Sequence, residues 1–129
     1  MELDFNSEKP IFQQIAEGLE DSILSGAFPE ESQIPSITEF SVLYKINPAT
    51  ALKGINLLVD AGVIYKKRGV GMFVAQGAVE ALRAKRKEGF SEHFVASMIE
   101  EAKRLGLSRE ELQRLIDRGF AQEEKEEIV

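Results

Sequence analysis

Residues 45–75 read KINPATALKGINLLVDAGVIYKKRGVGMFVA, a capped helix followed by two strand-like segments. Pro48 has no N–H to leave unpaired, so it suits the first turn of a helix, and Asn47 before it can cap that helix with its side-chain oxygen. Ala51, Ile55 and Leu58 recur at helical spacing as a buried stripe, and Gly62 closes the helix after Ala61. Beyond Gly62 the helical period is lost. Val63 to Lys67 and Met72 to Ala75 read as short strands rich in β-branched and aromatic residues. Arg68-Gly69-Val70-Gly71 between them, with its two glycines, is a hairpin tip.

Working upstream, Pro10 opens a first helix in which Ile11, Phe12, Ile15, Leu19, Ile23 and Leu24 fall on one stripe, with Gly26 as its stop. Ala27 to Pro35 is a polar connection. Pro35-Ser36 starts a second, shorter helix carrying Ile37, Phe40, Leu43 and Tyr44 on one face. Only Lys45 to Pro48 separates it from the helix that Asn47 caps, which is helix-turn-helix spacing. Helices followed by a basic-tipped hairpin make a winged helix-turn-helix, expected to occupy residues 1–75.

Residues 76–129 differ in character. Gln76-Gly77 reads as a hinge, and Ala78 to Lys87 as a helix carrying Arg83, Lys85, Arg86 and Lys87. Gly89 is expected to interrupt it, and Ser91 to cap a new helix with Phe94, Val95, Met98, Ile99, Ala102 and Leu105 as its apolar stripe. Gly106 stops that helix. Ser108-Arg109-Glu110-Glu111 has capping-box spacing and starts a last helix with Leu112, Leu115, Ile116 and Phe120. From about residue 121 the acidic end is expected to fray. The fold class is therefore mainly α (α+β), a winged helix-turn-helix followed by a small all-helical tail. Apolar stripes on so small a tail cannot all be buried within it. They predict a homodimer joined through Phe94, Met98, Leu105, Leu112, Leu115, Ile116 and Phe120, and a weakly binding monomer on truncation after Ala75.

Charge is segregated along the chain. The net charge is −6, which by itself argues against a polyanionic partner. Residues 1–44, however, hold one basic residue, Lys9, against nine acidic ones, whereas residues 45–68 hold Lys45, Lys53, Lys66, Lys67 and Arg68 against Asp60 alone. Positive charge gathered on one face is what DNA requires. With no cysteine there is no disulfide framework and no thiolate metal site. No signal-peptide core or membrane-length apolar run is present, so the expectation is a soluble cytoplasmic protein.

In a helix-turn-helix the amino-terminal part of the second helix enters the major groove. Here that segment comprises Asn47, Ala49, Thr50, Leu52 and Lys53. Its free N–H groups favour phosphate, Thr50 is short enough to meet a base edge, and Lys53 can reach backbone or guanine. Ser36 and Thr38 at the start of the preceding helix are candidate contacts beside it. Lys67, Arg68, Gly69 and Gly71 form the wing, which can place arginine in a minor groove. Against these stand plainer roles: Asn47 as a cap, Lys53 as a solvated lysine, and wing cations that only blunt a strand edge. His93 is the only histidine and has no ligand spacing around it, so neither a metal nor a cofactor is expected. The glutamate pairs are polar helix faces, and Gly69-Val70-Gly71 lacks the context of a nucleotide loop. No catalytic constellation is visible, and the chain is not expected to be an enzyme.

Pro10-Ile11-Phe12-Gln13-Gln14-Ile15, Leu24-Ser25-Gly26, Ile34-Pro35-Ser36, Ile46-Asn47-Pro48-Ala49-Thr50-Ala51 and Arg68-Gly69-Val70-Gly71-Met72-Phe73-Val74 resemble, in order and spacing, the pattern of GntR-type transcriptional regulators. The short helical tail resembles the YtrA-like subfamily. The resemblance implies a DNA-binding regulator, most simply a repressor, that binds an inverted-repeat operator as a homodimer. It also implies control of neighbouring transporter genes, while nothing identifies a small-molecule effector. Two positions depart from the pattern. Thr38 stands where many relatives have arginine, and Leu52 where many have arginine or a small polar residue. Leu52 is expected to pack on a thymine methyl. Two other uses of the fold stay open here: a winged-helix protein-interaction module, and a ligand-sensing regulator with its pocket at the dimer crevice.

Overall fold

The first 86 residues form one unit of a computed structural model that describes residues 1–128, with side chains through Glu124. Pro10 stands just outside α1 (Ile11–Leu24), and its carbonyl accepts the N–H groups of Gln13 and Gln14, each at 3.1 Å. The helix buries Ile15, Ala16, Leu19 and Ile23. Ser36 caps α2 (Ile37–Tyr44) through a complete capping box: its hydroxyl accepts the Glu39 N–H at 3.1 Å, and the Glu39 carboxylate accepts the Ser36 N–H at 3.2 Å. Asn47 caps α3 (Pro48–Asp60) by accepting the Ala49 N–H at 2.8 Å, with Pro48 in the first turn. Ala51, Ile55 and Leu58 are buried as expected. Gly54 joins them because α1 crosses there: a Cβ would lie 2.6 Å from the Phe12 carbonyl oxygen.

The face expected for α2 is narrower than its sequence suggests. Phe40 is buried and stacks on Tyr44 at 5.8 Å, with Ile37 half-buried beside them, but Leu43 is 65% exposed. An eight-residue helix lying on one core aromatic covers only one line of side chains, and Leu43 falls off that line.

The wing is part of a larger sheet than the expected hairpin. Strands β1 (Gln33–Ile34), β2 (Ile64–Lys67) and β3 (Gly71–Val74) pair antiparallel in the order β1-β3-β2. The register sets Gln33 opposite Phe73 and Ile34 opposite Met72, with Tyr65 opposite Phe73 and Lys67 opposite Gly71 on the other edge. The polar connection over Ala27–Pro35 thus contains a strand, drawn in because Ile34 buries against the same core as Met72 and Val74.

This first unit also runs past the boundary expected at residue 75. In α4 (Ala78–Phe90), Ala78 and Leu82 are buried in the core with Ile23, Phe40 and Ile64. The Glu30 carboxylate accepts the N–H groups of Gly77 at 2.9 Å and Val79 at 3.1 Å, so a residue from the loop before β1 closes the start of α4. Lys85 and Arg86 bind the buried Glu20 at 3.2 and 3.6 Å, and Arg86 binds Asp21 at 2.8 Å.

The second unit is residues 87–129. Gly89 does not interrupt the helix and Ser91 does not cap a new one. The chain passes from α4 through a π-helical turn, Ser91–Val95, into α5 (Ala96–Arg104), and the residues flanking the turn, Phe90 and Ala96, keep helical backbone angles. A single glycine costs a helix only about 1 kcal/mol relative to alanine, too little to stop one. A Cβ at Gly89 would meet only the ring of the exposed His93, which can turn aside. Ser108 and Glu111 form the expected capping box of α6 (Arg109–Ile128), at 3.1 and 3.4 Å. The helix spans Arg109 to Ile128, which its glutamate, glutamine and alanine residues favour. Val129 lies outside the described residues. An open groove of about 510 Å³ between α5 and α6 is lined by Val95, Met98, Ile99, Ala102, Leu112 and Ile116 among others. Phe94, Leu105 and Phe120 are each 66% exposed, and Ala102 is the buried apolar side chain of this unit among the described residues.

Candidate nucleic-acid interface

The amino end of α3 is exposed at Asn47, Pro48 and Ala49, with Thr50 half-buried behind them. The Asn47 side-chain oxygen is committed to its cap, as is the Ser36 hydroxyl to the Glu39 N–H. Both residues therefore order helix starts before they do anything else. Thr38, in the first turn of α2, is exposed. Further along α3, Ala49, Leu52, Lys53, Asn56, Leu57 and Asp60 line one shallow external depression. Leu52 is half-buried in it, so this position presents apolar surface, consistent with its spacing from Ala51 and Ile55. The Lys53 ammonium lies 4.1 Å from the centre of the Phe12 ring. Such an exposed cation–π contact is worth about 0.5–1 kcal/mol, which steadies the side chain without removing its charge from solvent.

The wing carries the other cations. Lys67 and Arg68 are exposed, and the Lys67 ammonium lies 4.8 Å from the Phe73 ring centre. Gly69 and Gly71 have φ of +78° and +146°, conformations that L side chains rarely adopt, so the tip requires both glycines. Among the described residues Arg68 has no carboxylate partner within ion-pair distance.

Three residues absent from the sequence reading, Asn56, Glu31 and Gln33, tie these parts together. Lys66 on β2 donates to Asn56 Oδ1 on α3 at 3.1 Å, which sets the wing strand beside the exposed ridge of the helix. Tyr65 donates its hydroxyl to Glu31 Oε2 at 2.7 Å, and that acceptor raises the phenol above its usual pKa. Gln33 donates from Nε2 to the Val70 carbonyl at 3.1 Å. No local motif announces these bonds, because each joins residues ten or more positions apart.

Two of the α4 cations are differently employed. Lys85 and Arg86 are held by Glu20 and Asp21 on α1. Among the described residues no cluster of histidine, cysteine or carboxylate side chains has the arrangement to hold a metal ion. No described helix is long and apolar enough to cross a membrane.

Residues 11–74 match the family profile of bacterial regulatory proteins, gntR family. The HTH-type transcriptional regulator YhcF of Bacillus subtilis is 32% identical over 114 residues, spanning 87% of this chain and 91% of YhcF. The HTH-type transcriptional repressor YtrA of the same organism is 28% identical over 82 residues, 64% of this chain and 63% of YtrA. A crystal structure of a GntR-family regulator from Bacteroides thetaiotaomicron superposes with a TM-score of 0.69 at 35% identity, covering 88% of this chain and 98% of that one. The DNA-binding domain of AraR, solved in complex with operator ORX1, superposes with a TM-score of 0.53 at 28% identity over 58% of this chain and 93% of that one. These relatives regulate transcription and are not enzymes. With its winged helix, exposed amino end of α3 and short helical tail, the chain belongs to the GntR family as a YtrA-like, DNA-binding transcriptional regulator.

Proposed function

We propose that the protein represses transcription in the cytoplasm as a homodimer on an inverted-repeat operator. One α3 enters the major groove of each half-site, the half-sites lie about one helical turn apart, and each wing sets Arg68 in a flanking minor groove. The observation that carries this reading is the Lys66–Asn56 bond at 3.1 Å, which puts the basic wing and the exposed ridge of α3 side by side. Ala49, Thr50, Leu52 and Lys53 then meet base edges and nearby phosphates, while Lys67 and the tip glycines follow the backbone. Ser36 and Thr38 meet the backbone from the start of α2. Repression is supported by the likeness to the YtrA repressor.

Dimerisation through Phe94, Met98, Leu105, Leu112, Leu115, Ile116 and Phe120 is supported by how much of that apolar surface the second unit leaves uncovered, Phe94, Leu105 and Phe120 above all. The test is footprinting of the full-length protein on DNA upstream of its own gene, followed by titration of the protected duplex at several salt concentrations. Two protected half-sites are expected. Lys53→Ala and Arg68→Ala should each weaken binding and lower the salt slope by about one. A Leu115→Glu, Phe120→Glu double variant should sediment as a monomer. Unchanged binding in both cation variants would instead mark the winged helix as a protein-interaction module.

A further inference from the structure

The wing turn is closed from inside by the Val70 N–H, which donates to the Lys67 carbonyl at 3.0 Å. The Val70 carbonyl falls outside the β2–β3 ladder, whose last pair is Lys67 with Gly71. Gln33 provides its partner: Nε2 donates to that oxygen at 3.1 Å from β1, across 37 positions of sequence. Gly71 is bare where this side chain crosses, and a Cβ there would collide with the Gln33 amide nitrogen. Among the described residues no other side chain hydrogen-bonds residues 68–71. Gln33 is itself exposed, so its contribution is not to the core.

A turn with two glycines samples many backbone states when nothing holds it, and ordering it on DNA would cost affinity. We propose that Gln33 is a positioning residue for DNA binding: by holding the Val70 carbonyl it fixes the wing turn in the form that delivers Arg68 to the minor groove. This rests on the wing reading above and names the residue that prepares the wing. Gln33 acts through Arg68, and its loss should matter only where Arg68 has DNA to meet.

The experiment uses the full-length protein and a duplex that it selects from a random-sequence pool, in a long form with flanks and a form trimmed to the sequence under α3. Gln33→Met keeps the length of the side chain and removes the donor. It should weaken the long duplex by about two- to ten-fold, the range of one neutral hydrogen bond. It should leave the trimmed duplex and the thermal midpoint unchanged, add no loss to Arg68→Ala, and speed hydrogen exchange at the Val70 amide in the free protein. A loss that persists in the Arg68→Ala background would mean that Gln33 touches DNA directly, and would overturn the proposal. So would equal weakening of both duplexes with a lowered midpoint, or no effect on either. If Arg68→Ala alone leaves the long duplex unaffected, the wing reading fails and the proposal falls with it, an outcome separable from failure of Gln33 alone.

Discussion

The Glu30 carboxylate sits 2.9 Å from the Gly77 N–H, and with Val79 it closes the start of a helix 47 residues downstream. Those two N–H groups stabilise the charged carboxylate and hold its pKa below the ordinary value. A carboxyl depressed in the folded state adds stability above its unfolded pKa and loses it as pH falls through the folded one. The thermal midpoint should therefore drop on acidification below the usual carboxylate range. Glu30→Gln should start lower at neutral pH and show a shallower acid limb, and an identical acid limb would refute the assignment.

α1 packs tightly against α3 at Gly54. Alanine there would gain about 1 kcal/mol of helix propensity. Its Cβ would lie 2.6 Å from the Phe12 carbonyl and 3.0 Å from the Ile15 Cβ, both parts of packed helices with little room to give. Overpacking of this kind costs about 1–3 kcal/mol, so Gly54→Ala should lower the urea midpoint despite the better helix former.

Leu82 is 1% exposed although it lies beyond the β3 strand that completes the wing. Leu82→Ala should destabilise the first unit by about 2–5 kcal/mol in chemical denaturation. A fragment of residues 1–86 should unfold cooperatively, whereas one ending at residue 75 should be far less stable for want of Ala78 and Leu82. Equal midpoints for the two fragments would sink this account of α4.

Leu52 offers apolar surface in the depression along α3. Leu52→Ala should reduce affinity for the selected duplex by about 1 kcal/mol, roughly five-fold, at one thymine position. Replacing that thymine by uracil, which removes only the methyl group, should cost the wild type the same and the variant nothing. If no thymine behaves this way, Leu52 lies beside the groove.

Where a few neighbouring residues hold all the physics, the sequence was readable. Asn47-Pro48 and Ser108 with Glu111 specify helix starts through bonds made within one turn, and all three appear as expected. Ser36 with Glu39 carries the same spacing and was legible in principle, although only the helix start was anticipated. What could not be read depends on distant chain. Strand β1 is two residues long and exists because β3 lies beside it. Leu82 joins the core because Glu30, Glu20 and Asp21 hold α4 in place. Gly89 looked like a breaker because isolated glycine is ambiguous, and the π-helical turn after it has no sequence signature. The same division holds at the interface. The basic wing and α3 follow from charge and spacing, while Gln33, Asn56 and Glu31 enter only through bonds that the fold makes.

The Glu20 and Asp21 pairs with Lys85 and Arg86 also bear on how fast DNA is found. By pairing Lys85 and Arg86 with carboxylates they lower the free positive charge of α4, while Lys53, Lys66, Lys67 and Arg68 stay outside any ion pair among the described residues, in a unit whose first 44 residues are strongly acidic. Unpaired cations of this kind raise the rate at which a protein meets a polyanion. On the proposed reading of the wing, the rate of encounter with the double helix should therefore fall as salt shortens the reach of the field.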